Sequence, residues 1–327
     1  VYKRQEQDSS GMMYFATGSG IAKFAVDTVL EILWEGISFQ QIFIDSRDNR
    51  WFMGDDGIYM ESPGGETRYL NAEHPVLPRV IYKLTEDLRT GSLLMATIDG
   101  VYMYDPKKEQ VTQLSDKDAY SLYIDANDSI WIATRDGLSI THLQDLMEDR
   151  LRANFHNLNE RLDFPVNIIS DITTNKFGSI WLVSDSKIMQ VISTDQKPII
   201  YEQNKGIKNN KILSFLIDKE DNIWIGFSGG LQRLTNRRGL RNFYPGIINS
   251  YIYSVFQDKQ DRIWVTSDNG VFYYQDSQLD NFTPQTGSDS KKFTGTLLPN
   301  QNILLANNEG LYLSLIHISE PTRPRLV

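Results

Sequence analysis

A single phrase, repeated eight times, limits what this chain can fold into more than any other feature. DNRWFMGDDGIY, DSIWIATRDGLS, DNIWIGFSGGLQ and DRIWVTSDNGVF begin at Asp48, Asp128, Asp221 and Asp261. With the Trp as anchor, weaker copies centre on Tyr14, Leu94, Trp181 and Leu304, beside the strong ones at Trp51, Trp131, Trp224 and Trp264. The spacings are 37, 43, 37, 50, 43, 40 and 40 residues. Six residues after the anchor stand Gly20, Gly57, Gly100, Gly137, Gly230, Gly270 and Gly310, with Lys187 the exception. Glycine makes up about 7% of ordinary sequences, so coincidence does not account for this column. Six residues before the anchor stand Asp8, Asp45, Asp125, Asn175, Asp218 and Asp258.

Each unit converts to geometry through strand and turn chemistry. Tyr120-Ser121-Leu122-Tyr123-Ile124 and Ile130-Trp131-Ile132 are rich in β-branched and aromatic residues, and the turn formers Asp125-Ala126-Asn127-Asp128-Ser129 separate them. Arg135-Asp136-Gly137 makes a second turn into a third strand, because glycine takes the positive φ such turns require. Stretches such as Arg241-Asn242-Phe243-Tyr244 and Asn281-Phe282 supply a fourth. The anchor strand is apolar on both faces, with Ile130 and Ile132 on one and Trp131 and Ala133 on the other, so it is covered from both sides. Four short strands in about 40 residues, stacked between neighbours, predict an all-β fold, a β-propeller of four-stranded blades. An unclosed β-solenoid predicts shorter and more regular coils.

The same residues speak against several chemistries. With 33 Lys+Arg against 42 Asp+Glu the formal charge is −9, which argues against a nucleic-acid partner. There is no Cys, hence no disulfide, thiol nucleophile or thiolate metal site. The Asp-rich turns lack the spacing of a calcium-binding loop, and Gly18-Ser19-Gly20 and Gly229-Gly230 lack that of a phosphate loop. His74, His142 and His156 read as surface residues. We expect no metal, no cofactor and no catalytic residue in this region.

These motifs resemble the two-component-regulator propeller repeat, most closely at Asp218-Lys219-Glu220-Asp221-Asn222-Ile223-Trp224-Ile225-Gly226-Phe227-Ser228-Gly229-Gly230-Leu231, and the approach segment Asn204 to Ile212 looks like the family's lead into an innermost strand. The resemblance spans nearly all of residues 6–312. It implies the periplasmic sensor region of a hybrid two-component histidine kinase of Bacteroidetes, with one seven-bladed propeller or parts of two in this chain. It further implies detection of a glycan-derived oligosaccharide, a homodimeric receptor, and membrane attachment and kinase activity only through segments outside this chain. Residues 1–5 and 313–327 resemble translated sequencing adapter, so we expect them to be foreign to the repeats.

The turns after the anchor strand set Asp55, Asp56, Arg135, Asp136, Asp268, Asn269, Asn307 and Asn308 on one loop face. Such side chains hydrogen-bond sugar hydroxyls while nearby aromatics stack on sugar rings, yet solvated hairpin turns use the same residues without a ligand. Two other classes stay open: a secreted propeller lyase or hydrolase acting on polysaccharide, and a scaffold for protein partners. In the 50-residue gap, Leu143, Leu146, Met147 and Leu151 follow helical spacing and predict a short helical insertion, either functional or a surface elaboration. Phe155-His156-Asn157-Leu158 follows it and resembles an outermost strand.

Overall fold

Where an aspartate stands six residues before the anchor it performs two tasks, and these fix the first hairpin of the repeat. One carboxylate oxygen of Asp45 accepts the backbone N–H of Arg47 (3.0 Å) and of Asn49 (2.9 Å), and the other accepts the indole N–H of Trp51 (2.9 Å). Asp125 serves Asn127, Ser129 and Trp131 in the same way, Asp218 serves Asn222 and Trp224, and Asp258 serves Arg262 and Trp264. Asp8 accepts from the phenol of Tyr14 at 3.1 Å, so a tyrosine anchor keeps the bond. Three residues after this Asp the chain turns left-handed, at Asp48 (φ 67), Asp128 (62), Asp221 (66) and Asp261 (61). Aspartate tolerates that conformation better than most residues, which is why two acids recur in each turn.

The computed structural model describes residues 5–25, 28–148, 156–158, 169–184, 186–202, 207, 211–235, 239–243, 250–284, 292–297, 302–307, 310–314 and 325–326. In these, every repeat is an antiparallel four-stranded sheet whose strands follow chain order. The first blade is β1 to β4 (Gln5–Gln7, Met13–Thr17, Gly20–Ala25, Thr28–Leu33). The second is β5 to β8 (Phe39–Ile44, Arg50–Gly54, Gly57–Glu61, Thr67–Tyr69), and the third β9 to β12 (Ile81–Asp87, Ser92–Thr97, Gly100–Asp105, Gln110–Ser115). The fourth is β13 to β16 (Ser121–Ile124, Ser129–Thr134, Gly137–His142, His156–Asn157) and the fifth β17 to β20 (Ile169–Thr174, Ile180–Ser184, Ile188–Val191, Ile199–Tyr201). The sixth is β21 to β24 (Ile212–Ile217, Ile223–Phe227, Gly230–Thr235, Gly239–Phe243), and the seventh β25 to β28 (Ile252–Gln257, Ile263–Ser267, Gly270–Gln275, Gln278–Asn281). The eighth is β29 to β32 (Thr294–Leu297, Ile303–Asn307, Gly310–Ser314, Arg325–Leu326). The fold is all-β and propeller-type; a solenoid would coil its strands rather than pair them in separate meanders.

Two helices interrupt the pattern. The predicted insertion is α2 (Leu143–Glu148), with Leu143 and Leu146 buried against Leu122 and Ile130; residues 149–151 and Phe155 of that prediction lie outside the described residues. His156 and Asn157 pair with Ile140 and Ser139 as the expected outermost strand. The turn α1 (Leu70–Glu73) carries no periodic signal in the sequence and forms where Leu70 is buried beside Trp51. The hairpin of the fifth blade forms despite Lys187; that lysine pairs with Glu202 at 3.2 Å.

The chain divides into two compact units, residues 1–184 with 189–199, and residues 185–188 with 200–327. In each the core is a series of seams between blades rather than one centre. Within the first unit, Trp51 packs with Leu84, Leu93 and Tyr104 of the third blade, while its neighbour Phe52 packs with Tyr14 and Ile21 of the first. Within the second, Trp224 meets Ile252 and Val255 of the seventh blade, and Trp264 meets Phe293 and Ile303 of the eighth. The anchor thus faces the following blade and its neighbours face the preceding one, which explains a strand apolar on both sides. Gly100 (φ 127) has a second reason to be glycine: a Cβ there would strike the carbonyl of Ser115 on the outermost strand.

The first turns also clasp one another. Ser9 donates through N–H and hydroxyl to Asp48 (2.9 and 2.8 Å), Arg47 reaches the carbonyl of Gly91 (3.1 Å), and Arg89 reaches Asp128 (2.5 Å). In the second unit Lys219 reaches Asp261 (2.7 Å). A buried ionic cluster joins the first two blades, with Glu61 accepting from Lys23 at 2.6 Å and Arg50 at 3.2 Å.

Candidate ligand-binding face

The loop face is built by the turn between the second and third strands of each blade. A hydroxyl at the end of the second strand shapes it. Thr134 and Ser267 donate to the carbonyls of Gly137 and Gly270 (3.2 and 3.0 Å) and accept the N–H of Asp136 and Asn269 (3.2 and 3.1 Å). These turns hold the expected residues: Asp55 and Asp56 between β6 and β7, Arg135 and Asp136 between β14 and β15, Asp268 and Asn269 between β26 and β27. Asn307 is the last residue of β30, and Asn308 lies outside the described residues. Asp55, Asp56, Arg135 and Asp136 belong to the first unit, and Asp268, Asn269 and Asn307 to the second.

Several of these side chains are held by the inner strand of their own blade. The Gln40 amide donates to Asp55, whose N–H donates to the Ser38 carbonyl at 3.1 Å. Asp56 accepts from the Tyr59 phenol (2.8 Å), and its carbonyl accepts from Tyr69 (2.8 Å). Arg135 lies 3.3 Å from Asp118 and hydrogen-bonds Tyr120. Asp268 accepts the N–H of Tyr251 (3.0 Å) and returns its own N–H to the Tyr251 carbonyl (3.2 Å). Gln40–Asp55 and Tyr120–Arg135 are one contact repeated at a separation of 15 residues, and Tyr253 stands at the same separation from Asp268, whose charge it feels. Sequence reasoning missed the inner-strand members. The fixed offset from the anchor was the signal that would have found them.

Electrostatics keep the phenols as neutral donors. Burial, then the bond to Asp56, holds Tyr59 above the usual tyrosine range, and burial followed by the charge of Asp268 does the same for Tyr253. In the first unit this face carries carboxylates, phenols and aromatic rings, including the Tyr82–Tyr120 pair at 5.4 Å between centroids. That combination suits a polyhydroxylated ligand. Lys83 pairs with Asp171 at 2.9 Å, linking the inner strands of the third and fifth blades. Among the described residues no group of three or more His, Asp or Glu is placed to hold a metal ion. His142 and His156 are exposed, while His74 is half-buried, 5.6 Å from the Tyr104 ring. No helix among the described residues is long and apolar enough to cross a membrane.

Comparison with known proteins agrees with this architecture. Residues 206–229 and 246–269 match the family described as two component regulator propeller. The extracellular domain of a hybrid two component system from B. thetaiotaomicron superposes with a TM-score of 0.63 at 18% identity, over 94% of this chain and 40% of that one. Virginiamycin B lyase from Staphylococcus aureus superposes at 0.55 and 14% identity, over 81% of this chain and 90% of the lyase. At these identities the likeness is one of fold. This chain spans 40% of the length of the sensor domain. No curated protein sequence matches it.

Proposed function

Since the chain carries two-component regulator propeller repeats, we propose that it is the extracytoplasmic ligand-sensing region of a hybrid two-component sensor histidine kinase, and that its ligand is a glycan-derived oligosaccharide. The observation that carries the reading is the repeat match at residues 206–229 and 246–269. The fold shared with the sensor domain and the hydroxyl-binding chemistry of the loop face support it. In this reading the protein works as a homodimer in the periplasm, and the kinase lies outside this chain. Ligand shifts the signalling equilibrium only by its difference in affinity between two receptor arrangements. Driving the ratio from 1:99 to 99:1 needs about a 10⁴-fold preference.

Melting curves of the purified chain with a panel of oligosaccharides test the reading. A bound sugar raises the transition and is recovered intact. The fold shared with virginiamycin B lyase keeps an enzyme as a second reading; formation of product would replace the sensor assignment with that one.

A further inference from the structure

The seventh blade begins with two tyrosines that packing does not use. Tyr251 is 49% and Tyr253 38% exposed, while Ile252 between them is fully buried in the seam with the sixth blade. Tyr251 stands just before the strand and Tyr253 at the register shift between Ile252 and Ser254, where an extra residue interrupts the alternation, and both rings remain exposed. Later in the same blade Tyr273 lies 5.0 Å from Trp264, and Tyr274 lies 5.6 Å from Trp224. Among the described residues neither Tyr251 nor Tyr253 stacks on another ring. Leaving two large aromatics partly exposed forgoes a fraction of the roughly 1.5–3 kcal/mol that full burial of each would contribute.

Asp268 stands beside them on a rigid mount. The paired bonds between Asp268 and the backbone of Tyr251 tie the turn to the start of the strand, at 3.0 and 3.2 Å. One carboxylate oxygen is committed there. The other has no partner among the described residues and is free to accept. At the equivalent place in the second blade Gln40 takes up Asp55, and in the fourth Tyr120 takes up Arg135, so only the seventh blade of these three joins two exposed rings to an acceptor.

We propose that Tyr251, Tyr253 and Asp268 form an oligosaccharide subsite that selects neutral sugars over uronic acids. The inference rests on the oligosaccharide-sensing reading above and names where, within the second unit, a sugar is held. The two exposed rings supply apolar faces for the C–H side of a pyranose. Asp268 accepts its hydroxyls, and its charge repels a carboxylated sugar at the same place.

Calorimetric titration of the full chain tests this with linear neutral oligosaccharides of glucose, mannose and xylose, and with uronate-containing ones of matched length. A neutral sugar should bind, and Tyr251→Ala with Tyr253→Ala should weaken it at least about tenfold at an unchanged melting temperature. Asp268→Asn keeps an acceptor for the Tyr251 N–H while removing the charge, so it should narrow the preference for neutral over uronate sugars. On the wild-type chain, tyrosine ring signals in the NMR spectrum should shift on binding, a readout that does not depend on variants folding. Unchanged affinity in the double variant, wild-type preference for uronates, or unmoved ring signals on binding would overturn the subsite and leave the sensor reading standing. Failure of every sugar to bind would remove that reading and the subsite with it.

Discussion

Replacing Asp218 with alanine removes the atom set that ties the first turn of the sixth blade to its anchor. Asp218 accepts the Trp224 indole N–H at 2.8 Å, the Asn222 backbone N–H at 2.7 Å and the Asn222 amide at 2.9 Å. Trp224 is 1% exposed, so water does not replace the carboxylate at the indole. An orphaned buried donor costs about 1–3 kcal/mol, and loss of the bonds to Asn222 adds about 1 kcal/mol, together about 3 kcal/mol. That is a large part of the roughly 5–15 kcal/mol that holds a domain folded, and it lowers the melting temperature by about 10 °C. Urea unfolding followed by tryptophan fluorescence measures it. The decisive number is a coupling: in a Trp224→Phe background the indole donor is absent, so Asp218→Ala should cost about 1–2 kcal/mol less than in wild type. Costs that simply add, to within about 0.5 kcal/mol, would refute the claim that the carboxylate–indole bond secures the hairpin.

Further outcomes follow from the same packing. Gly226→Ala should destabilise by about 1–3 kcal/mol, because the new methyl meets Ser214 and approaches Ile252 Cβ at 2.8 Å, whereas Gly18→Ala, with nothing within 4 Å, should be near neutral in denaturant midpoint. Glu61→Ala leaves Arg50 and Lys23 facing each other without their shared acceptor; with Arg50 and Glu61 side chains 5% and 3% exposed, the expected loss is about 3–5 kcal/mol, little changed by added salt in the unfolding assay. For Asp8, burial opposes ionisation but is outweighed by bonds from Ser10, Met12 and Tyr14, so its carboxyl lies below the usual 3.8. A depressed acid stabilises fully above its unfolded value and loses that contribution as pH falls through the folded one. The stability difference between wild type and Asp8→Asn should therefore hold at neutral pH and shrink below about pH 3.8, read from denaturant midpoints across pH.

The blades were legible because each depends on contacts close in sequence. Asp to anchor is six residues, anchor to glycine another six, and each hairpin closes within that span, so the chemistry of one turn recurs visibly along the chain. The α2 insertion was legible for the same reason. The loop positions of Asp55, Arg135 and Asp268 followed from the repeat, but what they touch did not. Gln40, Tyr120 and Tyr253 lie on or just before the inner strand of the same blade, 15 residues away, where no local pattern distinguishes a ring that packs from one left exposed. Asp56 is engaged by Tyr59, and one carboxylate oxygen of Asp268 by the Tyr251 backbone. Turn solvation was the competing explanation, and turn bonding now accounts for much of their polarity.

Sequence alone therefore determined the number of repeats, their strand order and the residue types at each turn, since those are set by local hydrogen bonding and by alternation along a strand. Only the tertiary structure decided which blade each face of the anchor strand covers, that the first turns clasp in one direction from Ser9 to Asp48 and from Lys219 to Asp261, and that Tyr251 and Tyr253 stay uncovered. Those facts belong to pairs of residues about 40 positions apart or to different strands of one blade. Burial at such distances is set by what the neighbouring sheet brings, and a side chain's own identity does not encode it.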